Sequence, residues 1–150
     1  MITILEFLGT DHHQCDAHFA AAETAVAEGR WDVARAAAGR FLDAMARHLA
    51  MEEDVLFPAF EARTGMQSGP TAVMRMEHAQ MRELMDGLAQ AVEANDATRF
   101  LGLSETLNML MQQHNLKEEN MLYPMADRVL GDSRDGLLDD MQACGKPHPV

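Results

Sequence analysis

Lysine is nearly missing from this chain: Lys117 and Lys146 are the only two among 150 residues, against 24 acidic residues and a formal charge of -12. Without a basic run anywhere, the electrostatic footprint of a nucleic-acid binder is absent, and anionic membrane surfaces are equally poor partners. Long apolar runs are lacking too. No stretch approaches the roughly 18 residues that span a bilayer, and MITILEFLGTDHH has no positive segment before its short apolar start. The expectation is a soluble, cytoplasmic protein. Cysteine is scarce, and Cys15 and Cys144 show neither disulfide-framework nor zinc-ribbon spacing, which fits a reducing compartment. No segment alternates with period two, so strands are not expected.

What remains is helix-forming. Between Pro58, Pro70, Pro124, Pro147 and Pro149 lie stretches of Ala, Leu, Met, Glu and Arg. Four long helices are expected. The first runs from about Thr10 to Glu28 and stops at Gly29-Arg30; the second runs from Trp31 to about Arg63, bent or shortened by Pro58. The third opens at Pro70 and reaches about Ala94, and the fourth runs from an Asp96 N-cap to about Leu130. A short helix around Leu137 to Ala143 would precede a frayed tail. At 47% hydrophobic, the chain suits one domain over residues 1–150 that buries roughly 70% of its unfolded surface. The fold class expected is all-α: an antiparallel, up-down-up-down four-helix bundle with a short C-terminal helix.

The chain also repeats itself. RHLAMEEDVLFP at 47–58 and QHNLKEENMLYP at 113–124 are related by a shift of 66 residues (114 − 48). That shift carries His48 to His114, Glu52 to Glu118, Glu53 to Glu119 and Pro58 to Pro124. It also carries Asp11-His12 to Glu77-His78 and the turn Gly29-Arg30 to Asn95-Asp96. Two repeated helical hairpins follow, about 10–63 and 70–130, with a tail at 131–150.

Hairpin geometry places the histidines. His12 and His48 lie equally far from position 30 (30 − 12 = 48 − 30 = 18), hence at one level, about 27 Å from the turn. His78 and His114 stand in the same relation to position 96. Glu52 and Glu118 follow their histidines by four residues, on the same helix face. That face is otherwise apolar: Phe41, Met45, Val55 and Leu56 share it on the second helix, and Leu107, Met111 and Leu122 on the fourth. Burying two carboxylates unpaired costs several kcal/mol each, against a total stability of about 5–15 kcal/mol. A cation must compensate, either protonated histidine or a pair of metal ions. Mixed imidazole and carboxylate ligation suits iron, manganese or zinc, and spacing alone does not choose, although a shared six-ligand site is unlike closed tetrahedral structural zinc.

Asp11-His12, His48 with Glu52-Glu53, Glu77-His78, and His114 with Glu118-Glu119, the acidic pairs followed by LFP and LYP, together resemble the hemerythrin-like, HHE cation-binding family over residues 11–124. The resemblance implies a bundle holding a non-haem di-iron centre with an oxo or hydroxo bridge, iron being preferred to manganese or zinc. His12, His48, His78 and His114 would be terminal ligands, and Glu52 and Glu118 carboxylate bridges. Oxygen-carrying members have a second histidine one turn from the one on the third helix, whereas Met74 and Arg82 stand at those distances from His78. The pattern is closer to four-histidine, two-glutamate relatives implicated in iron-sulfur cluster repair, which carry an additional cysteine-containing N-terminal domain.

Other residues are assigned quieter roles. His13 is expected to be solvated, His18 and His148 to lie on the surface or tail, and Glu53 and Glu119 to face solvent because i+4 aims better than i+5. Asp16 and Arg82, related by the repeat, are expected to pair or to orient ligands. Cys15 reads as an inert core thiol and the 13 methionines as core filler. Tyr123 should point away from the metals. About five ligands per ion leave a position for dioxygen, nitric oxide or peroxide, and no catalytic group stands out beyond the ligands. Binding or sensing of such a molecule, or of iron, is the first reading. A di-iron enzyme acting on peroxide, nitric oxide or iron-sulfur clusters is the second, and a structural metal the third. With no output domain in the sequence, a sensor would signal through a partner or as a homodimer.

Overall fold

The computed structural model describes residues 2–144, so Lys146 and His148 lie outside it. Every regular element among the described residues is helical, and no helix is long and apolar enough to cross a membrane. Helix α1 (Ile4–Ala27) begins six residues before the expected Thr10 (10 − 4). The reason is capping. Thr3 Oγ1 accepts from Glu6 N at 3.0 Å, and the Asp127 carboxylate accepts from Ile4 N at 2.8 Å and Leu5 N at 3.2 Å. Those bonds satisfy amides that would otherwise be orphaned at a helix start.

The turn chemistry repeats with the sequence. Gly29 ends α1 at φ 70°, and its counterpart Asn95 ends α4 (Pro70–Glu93) at φ 53°. In both turns two amides fold back onto the last helical carbonyls: Gly29 N to Val26 O and Arg30 N to Ala25 O, then Asn95 N to Val92 O and Asp96 N to Ala91 O. Helix α2 (Trp31–Ala50) follows the first turn and α5 (Ala97–Lys117) the second, with Asp96 capping Arg99 N as expected.

Neither α2 nor α5 stops where regular α-helix does. Each passes into a π-helical turn, Met51–Leu56 and Glu118–Leu122, before resuming as α3 (Phe57–Thr64) and α6 (Tyr123–Val129). In each turn a backbone amide reaches five residues back, Phe57 N to Glu52 O and Tyr123 N to Glu118 O. Pro58 and Pro124 stand next in line, and a proline lacks the N–H and crowds the carbonyl four residues before it. The wide turn takes up that conflict, so the expected bend becomes a local expansion. After a short 3₁₀ segment (Gly131–Ser133), α7 (Arg134–Ala143) closes the described chain, three residues longer at its start than expected (137 − 134).

Packing follows the hairpins. Helix α1 lies along α2 and α4 along α5, while α2 touches α4 and α1 touches α5. Two apolar clusters result. One, toward the hairpin turns, includes Phe19, Phe41, Met85, Leu88 and Leu107, with Phe19 edge-on to Phe41 at 4.7 Å. The other, at the opposite end, joins Ile4, Leu8, Met51, Leu56 and Tyr123 to Leu138 and Met141 of α7. Each fully buried Leu, Met or Phe contributes about 1.5–3 kcal/mol, so these clusters hold a polar layer between them that could not hold itself. Close approach of α4 and α5 is secured at Gly87, where an added Cβ would fall 2.8 Å from Leu103 Cδ1.

Candidate metal centre

Between the two clusters the structure brings together all six residues singled out from the sequence. His12, His48, Glu52, His78, His114 and Glu118 are each at most 4% exposed. The imidazoles come in pairs, His12 with His48 at 4.6 Å between ring centres and His78 with His114 at 4.9 Å. Nε2 of every histidine faces one of the two glutamates. His48 and His78 lie 3.5 and 3.1 Å from Glu52 Oε1, and His12 and His114 lie 3.1 and 3.3 Å from Glu118 Oε1.

The outward nitrogens explain that orientation. Nδ1 of His48 donates to Asp11 at 2.7 Å and Nδ1 of His114 to Glu77 at 2.8 Å, a pair related by the repeat. Nδ1 of His78 donates to Glu53 at 2.6 Å, and the repeat counterpart of that contact sets His12 Nδ1 3.5 Å from Glu119. An ionised carboxylate only accepts, so at His48, His78 and His114 the Nδ1–H tautomer is selected and the Nε2 lone pair is turned inward, whereas His12 bonds through Nε2 to Glu118 and Tyr123 and its Nδ1 lacks a hydrogen-bond partner. Three of these acids are backed by a cation: Asp11 by Arg47, Glu77 by Lys117 and Glu53 by Arg82. Glu53 and Glu119 are therefore not the solvated residues that i+5 spacing suggested. The π turns convert five residues into one turn and bring both toward the layer.

The same change of pitch redirects Tyr123, which was expected to point away. Its hydroxyl lies 2.7 Å from Glu52, 3.0 Å from Glu118 and 3.2 Å from His12 Nε2. Pro124 was the signal that could have found it. The expected pairing of Asp16 with Arg82 does not form. Arg82 binds Glu53 through two hydrogen bonds, while burial and the neighbouring Glu119 charge raise the Asp16 carboxyl, partly offset by His12, His13 and Gln112. His13 is exposed, and the Cys15 thiol is pushed up to about 12 by burial, as an inert core thiol should be.

The donor set passes a direct test for a cation. Nε2 of His48, His78 and His114, Oε1 of Glu52 and Oε2 of Glu118 are buried without a hydrogen-bond partner. Each such orphan costs about 1–3 kcal/mol, more for a charged group. Two overlapping groups can each close on an ion with ligand atoms within 4.8 Å of one another: Glu52, His78, His114 and Glu118, and His12, His48 and Glu118. Charge tells the same story. Burial and the facing Glu118 raise Glu52, and although burial opposes it, Glu118, Glu52 and Glu77 draw His114 up to about 9. The layer retains protons because it needs positive charge. Next to it, a cavity of about 10 Å³, walled by His12, His48, His114, Asp16 and Met81, has room for roughly one water-sized molecule.

Comparison with known proteins agrees with this geometry. The hemerythrin HHE cation binding domain matches residues 3–126, and the chain belongs to that family. Among curated proteins it is similar to the iron-sulfur cluster repair protein YtfE of Musicola paradisiaca, 35% identical over 97 residues, covering 58% of this chain and 43% of the relative. It is also similar to the protein of that name from Edwardsiella ictaluri, 37% identical over 95 residues, covering 57% and 41%. The chain thus spans less than half the length of these relatives. No solved structure matches it significantly.

Proposed function

We propose that this chain is a non-haem di-iron protein that binds or senses a small molecule, with dioxygen, nitric oxide and peroxide as the guests of suitable size. In this reading residues 1–150 form one domain, an antiparallel up-down-up-down bundle suited to a reducing, cytoplasmic setting. His12 and His48 would hold one iron and His78 and His114 the other, with Glu52 and Glu118 as the carboxylates shared between them and an oxo or hydroxo group completing the centre. One observation carries the reading: at His48, His78 and His114 the inward nitrogen is buried without a partner beside equally unpartnered carboxylate oxygens of Glu52 and Glu118, while the outward nitrogen is tied to an acid. When bound, the iron pair supplies reversible one-electron chemistry and an open coordination position.

The chain's own residues do the rest. Asp11, Glu53 and Glu77 hold the imidazoles in tautomer and direction. Tyr123 offers its hydroxyl proton to the carboxylates at the layer's lower edge. The small cavity, walled in part by Met81, excludes bulky molecules and most water. An enzyme reading is favoured by one finding, that its relatives are named for iron-sulfur cluster repair.

The test is metal content with an absorption spectrum before and after anaerobic reduction and exposure to air or nitric oxide. Iron at about two per chain, with charge-transfer bands that vanish on reduction and return with the gas intact, supports binding or sensing. Catalytic consumption of peroxide or nitric oxide with a reductant would move the assignment to the enzyme. A chain that neither carries nor takes up iron sinks both.

A further inference from the structure

We propose that the outer face of α4, α5 and the π turn after α5 is a homodimer interface, covered by the same face of a second copy across a twofold axis. Three observations lead there.

The first is an uncovered groove. In the first hairpin, α7 packs Leu138 and Met141 against Ile4, Leu8, Met51 and Leu56. Shifted by the repeat, those four positions become Pro70, Met74, Lys117 and Leu122, which with Val73 and Met121 line an open apolar groove. Among the described residues no second α7 covers it.

The second is charge. Arg40, Asp43, Arg47 and Asp54 line the outside of α2 and its π turn, and their repeat counterparts on α5 and its π turn are Thr106, Met109, Gln113 and Asn120. All four charges have been lost, and Ala50 and Thr10 have become Leu116 and Met76. Glu105 in place of Gly39 and Lys117 in place of Met51 keep charge at the margin, so around Met76, Met109 and Leu116 an apolar centre has a charged rim, the composition of an interface. The methionines expected as core filler divide accordingly: Met45, Met81 and Met111 are buried, whereas Met76, Met109 and Met121 are 57–60% exposed beside Leu116 at 58%.

The third is size and self-complementarity. Met76 and Leu116 stand at one level of the hairpin (96 − 76 = 116 − 96 = 20), with Val73 and Met121 toward the same end. Helix α4 has 24 residues, about 36 Å, and two packed helices are about 20 Å wide, giving roughly 700 Å² per partner. Specific interfaces bury about 600–1,000 Å² per partner, so the whole face lies within the range of a dimer contact. A single α7-like helix seated in the groove would leave Met76, Met109 and Leu116 in water. A twofold copy sets the patch against itself, each position i on a position j and j on i, so an apolar patch meets an apolar patch. Lys117, which holds Glu77 on His114, lines the same groove, so the interface adjoins the support of one imidazole pair.

The experiment is sedimentation equilibrium on the iron-loaded full chain, with helix content and iron measured in parallel. The native chain should weigh as a dimer at tens of micromolar. Met76→Glu with Leu116→Glu should halve the mass while helix and iron stay unchanged, and Val33→Glu, which charges an exposed apolar residue on α2, should leave the dimer intact. If the double variant fails to fold, Met109→Glu replaces it and should halve the mass in the same way. A monomeric native chain, a dimer that survives the double variant or a folded Met109→Glu chain, or a dimer dispersed by Val33→Glu would overturn the proposal.

Discussion

Shifting the first hairpin onto the second superposes His12 on His78, His48 on His114 and Glu52 on Glu118, yet it lays Asp16 on Arg82 and Phe57 on Tyr123. Inside the layer the halves are the same. One step outward they differ: Glu53 is clamped between His78 and Arg82, whereas Glu119 lies 3.5 Å from His12 with an acid where the clamp would be. Phe57 stacks on His78 at 5.5 Å, whereas Tyr123 places a hydroxyl among both glutamates. A duplication that keeps its charge-bearing atoms and varies their supports makes two imidazole pairs with unequal surroundings. The cavity is walled by both imidazoles of the His12 pair and by His114 alone of the other.

The largest effect should come from breaking what the halves share. Glu118→Ala removes the carboxylate common to both ligand groups, and iron should fall from about two to less than one per chain by elemental analysis. Retention of both irons would refute the bridging role. Next come the unequal supports. Glu53→Gln should weaken metal affinity about 10–100-fold, as loss of such an orienting acid does, and Glu119→Gln several-fold less. Equal losses in chelator competition would erase the proposed asymmetry.

The metal-free chain should respond to pH in a defined direction. His114 rises from 6.5 to about 9 when folded, against the opposing effect of burial, because Glu118, Glu52 and Glu77 face it. Its stabilising contribution is complete below about pH 6.5 and is lost as pH climbs through 9, so Tm should fall by several degrees across that window. Iron affinity should rise over the same range, since metal and proton compete for one lone pair. A flat metal-free profile would contradict the environment assigned to His114.

Tyr123→Phe makes the second half resemble the first. It removes a hydroxyl from two buried carboxylates and should cost about 1–2 kcal/mol in denaturant unfolding of the metal-free protein. No change would mean that water replaces the phenol. The smallest effect belongs to the turns: Asn95→Gly copies Gly29 at a φ of 53° and should stabilise by a few tenths of a kcal/mol, and destabilisation would mean the Asn95 side chain, bonded to Arg35, outweighs backbone strain.

Much of this was legible before any coordinates. The helices, their turns and the six inward residues follow from proline placement, the 66-residue repeat and i+4 spacing. Asp11 and Glu77 were visible as repeated acids, but nothing in their spacing told that they hold the histidines of the neighbouring helix. Glu53, Glu119 and Tyr123 were misread for one reason. All three were judged on α-helical pitch, and each depends on a π turn. Arg82 was paired with Asp16 because the repeat relates them, but the repeat relates equivalent places, not neighbouring ones.

By itself, the sequence determined that the chain is helical, that two hairpins are copies, and that four histidines and two glutamates share inward faces. These are consequences of periodicity, a property of neighbours along the chain. Tertiary structure decided which nitrogen of each histidine turns inward, which acids and cations stand behind it, and which groove α7 covers. Those depend on contacts between helices far apart in sequence, where a local change of pitch moves a side chain from solvent into the core.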